Sequence, residues 1–204
     1  MIEFDVRVSK DGELVVMHDP TVDRTTNGRG RVDKLTLREL KRLDAGMGET
    51  VPTFSEVIEE LGGKIGMNIH MYAYGEALDR AVEACMEADI LDEVFFAFSD
   101  PAEIRRLLRQ RPEVYVCSGY RAAEEDYLEA SRELGAKILQ PPIGASYLKA
   151  EWVEKVHEKG MVVEVFWADT VEDMLRLRSL GVDGILTNFP DIFIETFRRE
   201  RTQG

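Results

Sequence analysis

An α/β barrel of parallel strands wrapped by helices, of the (β/α)8 type but one strand short of closure, is the fold this sequence predicts. Three observations carry it. Apolar, strand-like runs alternate with helical patterns at regular intervals from residue 65 to residue 199. Gly135, Gly160 and Gly181 each follow a helical stretch, where a left-handed C-terminal residue is wanted. Repeated strand–helix units of this length imply parallel strands with helices packed outside, and about seven such strands can be counted where a closed barrel has eight. No linker, charge block or low-complexity segment divides the 204 residues, so a single domain over residues 1–204 is expected.

The elements follow in order. Residues 2–6 form the first strand, with Ile2, Phe4 and Val6 on one face and Glu3, Asp5 and Arg7 on the other. The Asp11-Gly12 turn leads into a short strand at 14–17, a hairpin partner at the rim that ends in His18-Asp19. A polar stretch at 20–34 carries turn chemistry in Thr25-Thr26-Asn27-Gly28 and Gly30. Thr36 caps a short helix at 37–43, Glu39 completes a capping box, and Gly46 and Gly48 stop it. Thr53 or Ser55 opens the next helix, which runs to Leu61. Strands are then predicted at 65–71, 94–98, 114–117, 137–139, 162–167 and 184–187. Helices are predicted at 76–88, 101–109, 123–134, 149–159, 171–180 and 191–199. Leu78, Val82, Cys85 and Met86 make one apolar stripe, and Pro101 suits a first helical turn behind a capping Asp100.

Composition narrows the partners. With 39 acidic against 26 basic residues and a net charge of -13, the surface repels nucleic acid and anionic membranes. No apolar run reaches the ~18 residues of a membrane span, and no signal peptide is visible. Cys85 and Cys117 lie far apart, outside any metal-ligand spacing, and read as buried thiols, which fits a reducing, cytoplasmic compartment.

The chemistry concentrates at the N-terminus. Glu3 and Asp5 point the same way, and if that face is buried their charges are costly unless a cation or hydrogen-bond donor meets them. Two acids and His18 at a strand end fit a metal-assisted acid/base site; the alternative is an exposed strand with alternating charge.

Ile2-Glu-Phe-Asp-Val6, Asp11-Gly12, Val15-Val16-Met-His18-Asp19 and the run from Arg24 to Gly30 resemble the glycerophosphodiester phosphodiesterase family. Leu43-Asp44-Ala45-Gly46, Val51-Pro52-Thr53-Phe54, Asn68-Ile69 and the run from Gly181 through Asn188 to Pro190 continue the resemblance in the family's order. It implies a TIM barrel whose first strand carries His-Arg-Gly, followed by a Pro-Glu-Asn-Thr-like motif. Neither motif occurs in this sequence, which starts at the family's second strand, so an N-terminally incomplete chain is expected. The resemblance implies metal ligation by Glu3 and Asp5, and makes His18 one of two acid/base histidines, the other belonging to the His-Arg-Gly motif.

A third family ligand is a glutamate in an Ile-Glu-Ile-Lys-like strand, aligned here with Asn68-Ile69-His70-Met71-Tyr72. His70 replaces the glutamate and Tyr72 the lysine; strand parity puts Asn68, His70 and Tyr72 on one inward face. The implied cofactor is a divalent ion: magnesium, calcium or manganese. Imidazole shifts the preference toward manganese or another transition ion, the other reading being that His70 only hydrogen-bonds inside the barrel. Arg24 is expected to steer the substrate phosphate or to stand solvated in a turn. Trp167, or Phe166 one residue before it, matches a family tryptophan that lines the pocket. Glu164, alone in an apolar strand, reads as the partner of a barrel arginine or a further ligand. Gln140 and Ser99 stand at strand ends, and His157 lies on a solvated helix face.

The resemblance implies metal-dependent hydrolysis of small-molecule glycerophosphodiesters to an alcohol and glycerol phosphate. Two rivals stand beside it: an impaired or non-catalytic member that binds phosphoesters or metal, and a phosphodiesterase of lysophospholipid-type substrates. A missing strand would also leave the edges at residues 2–6 and 184–187 unpaired, which predicts fragility, self-association or a homodimer.

Overall fold

Alternating side chains and capping boxes organise the chain around its buried apolar residues. The computed structural model describes residues 1–201, with side chains through residue 198. It packs as two compact units, the first Met1–Phe98 with Arg105–Tyr115, the second Ser99–Ile104 with the residues from Val116 onward.

In the first unit β1 (Ile2–Val8) is flanked on one side by the antiparallel β2 (Leu14–Val16) and on the other by the parallel β3 (Met67–Met71), which in turn pairs with the parallel β4 (Val94–Phe98). The β1–β3 register sets Glu3 opposite Asn68 and Asp5 opposite His70. Both capping boxes are formed: Thr36 with Glu39 starts α1 (Leu37–Leu40), and Thr53 with Glu56 starts α2 (Phe54–Leu61). The structure thus selects Thr53 over Ser55 as the cap, and α1 is one turn shorter than predicted. Helix α3 (Glu76–Glu87) buries Leu78, Ala81, Val82 and Cys85, the predicted stripe except Met86, which stays exposed.

The polar stretch after β2 is ordered by a small core of its own. Val15, Met17, Val22, Val32, Leu40 and Val51 are all buried together beneath it. Its Thr-Asn-Gly-Arg-Gly run is a turn, closed by the Gly30 N–H donating to the Asp23 carboxylate at 2.8 Å.

Helix α4 (Pro101–Gln110) is capped as expected: Asp100 Oδ1 accepts from the N–H groups of Ala102 and Glu103 at 2.8 and 2.9 Å. In the second unit β5 (Val116–Ser118), β6 (Ile138–Leu139), β7 (Val162–Val165) and β8 (Gly184–Ile185) pair in parallel, each with the next. Their helices are α5 (Tyr127–Leu134), α6 (Ala150–Glu158), α7 (Val171–Ser179) and α8 (Pro190–Arg201). Tyr127, Leu139, Val163, Val165, Met174 and Leu177 form its core. Helix α5 starts four residues later than predicted, because Arg121 adopts φ 60° and its guanidinium ties Glu124 and Asp126 into turns. His157 is not simply solvated: its Nε2 lies 2.9 Å from the Asp183 carboxylate, joining the end of α6 to the start of β8.

Candidate active site

The pleat of β1 and β3 builds the cluster. Glu3 and Asp5 share one face of β1, and the parallel register brings His70 of β3 beside Asp5, with Nδ1 3.3 Å from its Oδ1. One ligand atom from each of Glu3, Asp5 and His70 lies within 4.8 Å of the others. Asp5 is buried, at 8% exposure, while Glu3 and His70 are partly open. Burial, reinforced by the neighbouring Asp5 charge, pushes the Glu3 carboxyl up to about 7, against smaller opposing effects of His70 and His18.

The raised Glu3 carboxyl reflects burial first and the Asp5 charge second. Asn68 adds to the polarity of this face: its buried Oδ1 has no hydrogen-bond partner among the described residues. Two carboxylates and an imidazole converging on a partly buried face fit a divalent cation, whose charge would offset the cost of ionising Glu3 beside Asp5.

His18 stands after β2, 65% exposed, and its charge is felt at Glu3. Three hydrogen bonds position its backbone: Met17 N–H donates to the Asp5 carbonyl at 2.9 Å, and Arg7 donates through Nε and Nη2 to the His18 carbonyl at 3.0 and 2.7 Å. Its Nδ1 lies 2.7 Å from Asp19 Oδ1. Arg24 grips the same carboxylate with two bonds, Nε to Oδ2 at 2.7 Å and Nη2 to Oδ1 at 2.9 Å. Arg24 and His18 together hold the Asp19 carboxyl far below the usual carboxylate range. With Nδ1 turned to Asp19, Nε2 of His18 is left as the exchanging nitrogen.

The structure therefore brings Glu3, Asp5, His70 and His18 into one neighbourhood, and Arg24 joins it through Asp19. Trp167 belongs to the second unit, where it follows β7, half-exposed and edge-on to Phe166 at 6.2 Å. Glu164 meets no arginine among the described residues; it accepts from Gln140 Nε2 at 3.0 Å, and burial raises its carboxyl. Gly184 faces it, and a Cβ there would sit 2.8 Å from Glu164 Cγ, so only glycine leaves room for this acid.

Three residues, two at this site and one in the second unit, were not singled out from the sequence. Asp19 could have been found from the adjacent His-Asp with an arginine five residues on. Arg7 is the third residue on the Glu3–Asp5 face. Asp169, which accepts from Thr187 Oγ1, Asn188 N–H and Asn188 Nδ2 at 2.9, 2.8 and 2.9 Å, ties the segments after β7 and β8 together.

A family model described as the glycerophosphoryl diester phosphodiesterase family matches residues 1–192. A glycerophosphodiester phosphodiesterase of Caldanaerobacter subterraneus subsp. tengcongensis is 32% identical over 97% of this chain and 86% of its own length. Among solved structures, glycerophosphodiester phosphodiesterase from Agrobacterium tumefaciens str. C58 is 27% identical, with a TM-score of 0.81 over 94% of this chain and 85% of that one. A phosphodiesterase from Oleispira antarctica in complex with its product sn-glycerol-3-phosphate is 26% identical, with a TM-score of 0.80 over 96% and 84%. These likenesses bear out the α/β fold of the TIM-barrel kind. A family model spanning most of the sequence and a relative above 30% identity agree: the chain belongs to the glycerophosphoryl diester phosphodiesterase family, a family of phosphoric diester hydrolases.

Proposed function

We propose that this protein hydrolyses glycerophosphodiesters to an alcohol and glycerol phosphate, using a divalent ion held by Glu3, Asp5 and His70. The observation that carries the reading is the convergence of those three donors within 4.8 Å on neighbouring strands of a family member. The names of its relatives support the substrate class, and the product held by the Oleispira antarctica structure supports the glycerol phosphate half.

A phosphodiester resists attack because its anionic phosphoryl group repels nucleophiles. A divalent ion bound by these donors supplies neutralisation of a non-bridging oxygen and polarisation of phosphorus. His18 takes the proton of the nucleophile, a water or the substrate's own glycerol hydroxyl, on Nε2 as the new P–O bond forms. The P–O bond to the alcohol breaks and its alkoxide takes a proton from water, and a cyclic phosphate formed by the glycerol hydroxyl is opened by a second water to glycerol phosphate. Asp19 keeps Nδ1–H engaged, so the ring presents one tautomer and stabilises the imidazolium that forms. Arg24 locks Asp19 in place and, with Nη1 making no bond among the described residues, has a donor to offer the substrate phosphate. Trp167 is assigned to substrate binding only by its match to the family tryptophan. His70 in place of a carboxylate favours manganese over magnesium or calcium.

The test is choline release from glycerophosphocholine with manganese(II), in the wild type and in Glu3→Gln and Asp5→Asn. Metal-dependent release that both substitutions abolish is the expected result. No release with any divalent ion, or undiminished release from both variants, overturns the reading.

A further inference from the structure

We propose that Arg7 is a positioning residue that braces both histidines of the site, His18 through its backbone and His70 through the ring of Tyr72. Arg7 is the residue after Glu3 and Asp5 on their face of β1. In one direction its Nε and Nη2 converge on the His18 carbonyl oxygen at 3.0 and 2.7 Å, fixing the point where the chain leaves β2. In the other, its guanidinium carbon lies 4.1 Å from the centre of the Tyr72 ring. That ring is stacked on His70, with centroids 4.7 Å apart and planes at 30°. The stack ends where His70 Nδ1 meets Asp5 at 3.3 Å.

Only a guanidinium suits both tasks. Its N–H groups donate in the plane while its face lies over an aromatic ring, so one rigid group serves two neighbours at once. A lysine ammonium at this position can reach the carbonyl but lacks the flat face that covers Tyr72. The partly exposed His70 ring is thereby held on one face by Tyr72, which also meets Asp5, and a ligand ring held in one orientation loses less freedom on binding an ion. The roles of the two histidines rest on the proposed hydrolase activity; the brace itself does not.

The experiment follows the ring resonances of His18 and His70 by NMR in the metal-free protein, with manganese(II) affinity and glycerophosphocholine turnover measured beside them. Arg7→Met should move the resonances of both histidines and weaken manganese binding by about tenfold, the lower end of what losing an outer-shell partner costs. It should lower kcat more than it raises KM. Arg7→Lys should move His70 while leaving His18 near its wild-type position, and Tyr72→Ala should weaken manganese binding without displacing His18. Wild-type positions for both histidines in Arg7→Met, or in Arg7→Lys should Met not fold, overturn the brace. A wild type that moves as described on substitution yet releases no choline leaves the brace standing and removes the proposed activity. Normal wild-type turnover with silent Arg7 variants does the reverse.

Discussion

Replacing Glu3 by Gln should stabilise the metal-free protein, and the size of the effect follows from the site's electrostatics. Burial and the Asp5 charge raise the Glu3 carboxyl from 4.5 to about 7. Folding therefore favours the protonated acid. The stability this contributes is fully present below about 4.5 and is lost as pH rises through 7, above which the folded protein carries the full cost of an ionised Glu3. Each tenfold change in proton affinity is worth about 1.4 kcal/mol, so the displacement corresponds to about 3 kcal/mol before screening. The side chain is partly open to water, which brings the expected figure to about 2 kcal/mol. For a chain of this length that is about 4–8 °C in Tm. The assay is thermal unfolding in EDTA at pH 5 and pH 8. Glu3→Gln should melt several degrees above the wild type at pH 8, with the gap shrinking toward pH 5, and saturating manganese(II) should reverse the order by stabilising only the wild type. A variant that melts at or below the wild type at pH 8 in EDTA, or a gap independent of pH, refutes the reasoning.

The other expectations concern orientation, ligand type and packing. Asp19→Asn offers His18 an amide in place of a carboxylate and frees Arg24 from its two bonds, so kcat for glycerophosphocholine should fall by about 10²-fold or more while KM changes little; steady-state kinetics check it. His70→Glu should shift the metal preference from manganese toward magnesium and calcium, read by competitive titration, and an unchanged preference order speaks against His70 as a ligand. Gly184→Ala places a Cβ 2.8 Å from Glu164 Cγ and should lower stability by about 1–3 kcal/mol in denaturant unfolding, with Glu164→Ala in the same chain recovering part of the loss.

The strand face shared by Glu3 and Asp5 was legible because the pleat fixes a period of two, whatever the tertiary surroundings. His70 followed from the same parity once the family resemblance set its strand opposite the first. The helix start at Thr36 was legible because a capping box is local chemistry, while the next start was left open between Thr53 and Ser55 until the structure selected Thr53. What escaped depends on side chains meeting across elements. Nothing in the spacing tells that Arg7 covers Tyr72, since rotamers decide it, whereas Asp19 beside His18 with Arg24 five residues on left a local signal. Glu164 was read as wanting an arginine, but a neutral amide from Gln140 on the adjacent strand meets it, which suits a carboxyl that burial already pushes toward its neutral form. His157 sits among charged helix residues, and only the β8 segment folding back brings Asp183 to it. The turn that precedes α5 is held by Arg121 bonding to Glu124 and Asp126, contacts its spacing does not announce.

Whether Glu3, Asp5 and His70 together hold one metal ion can be seen directly in crystals of the protein grown with manganese(II), from anomalous difference maps collected on either side of the manganese absorption edge. A single edge-dependent peak in contact with all three side chains is the predicted result. A peak bound elsewhere, or none while the three side chains are well ordered, contradicts it.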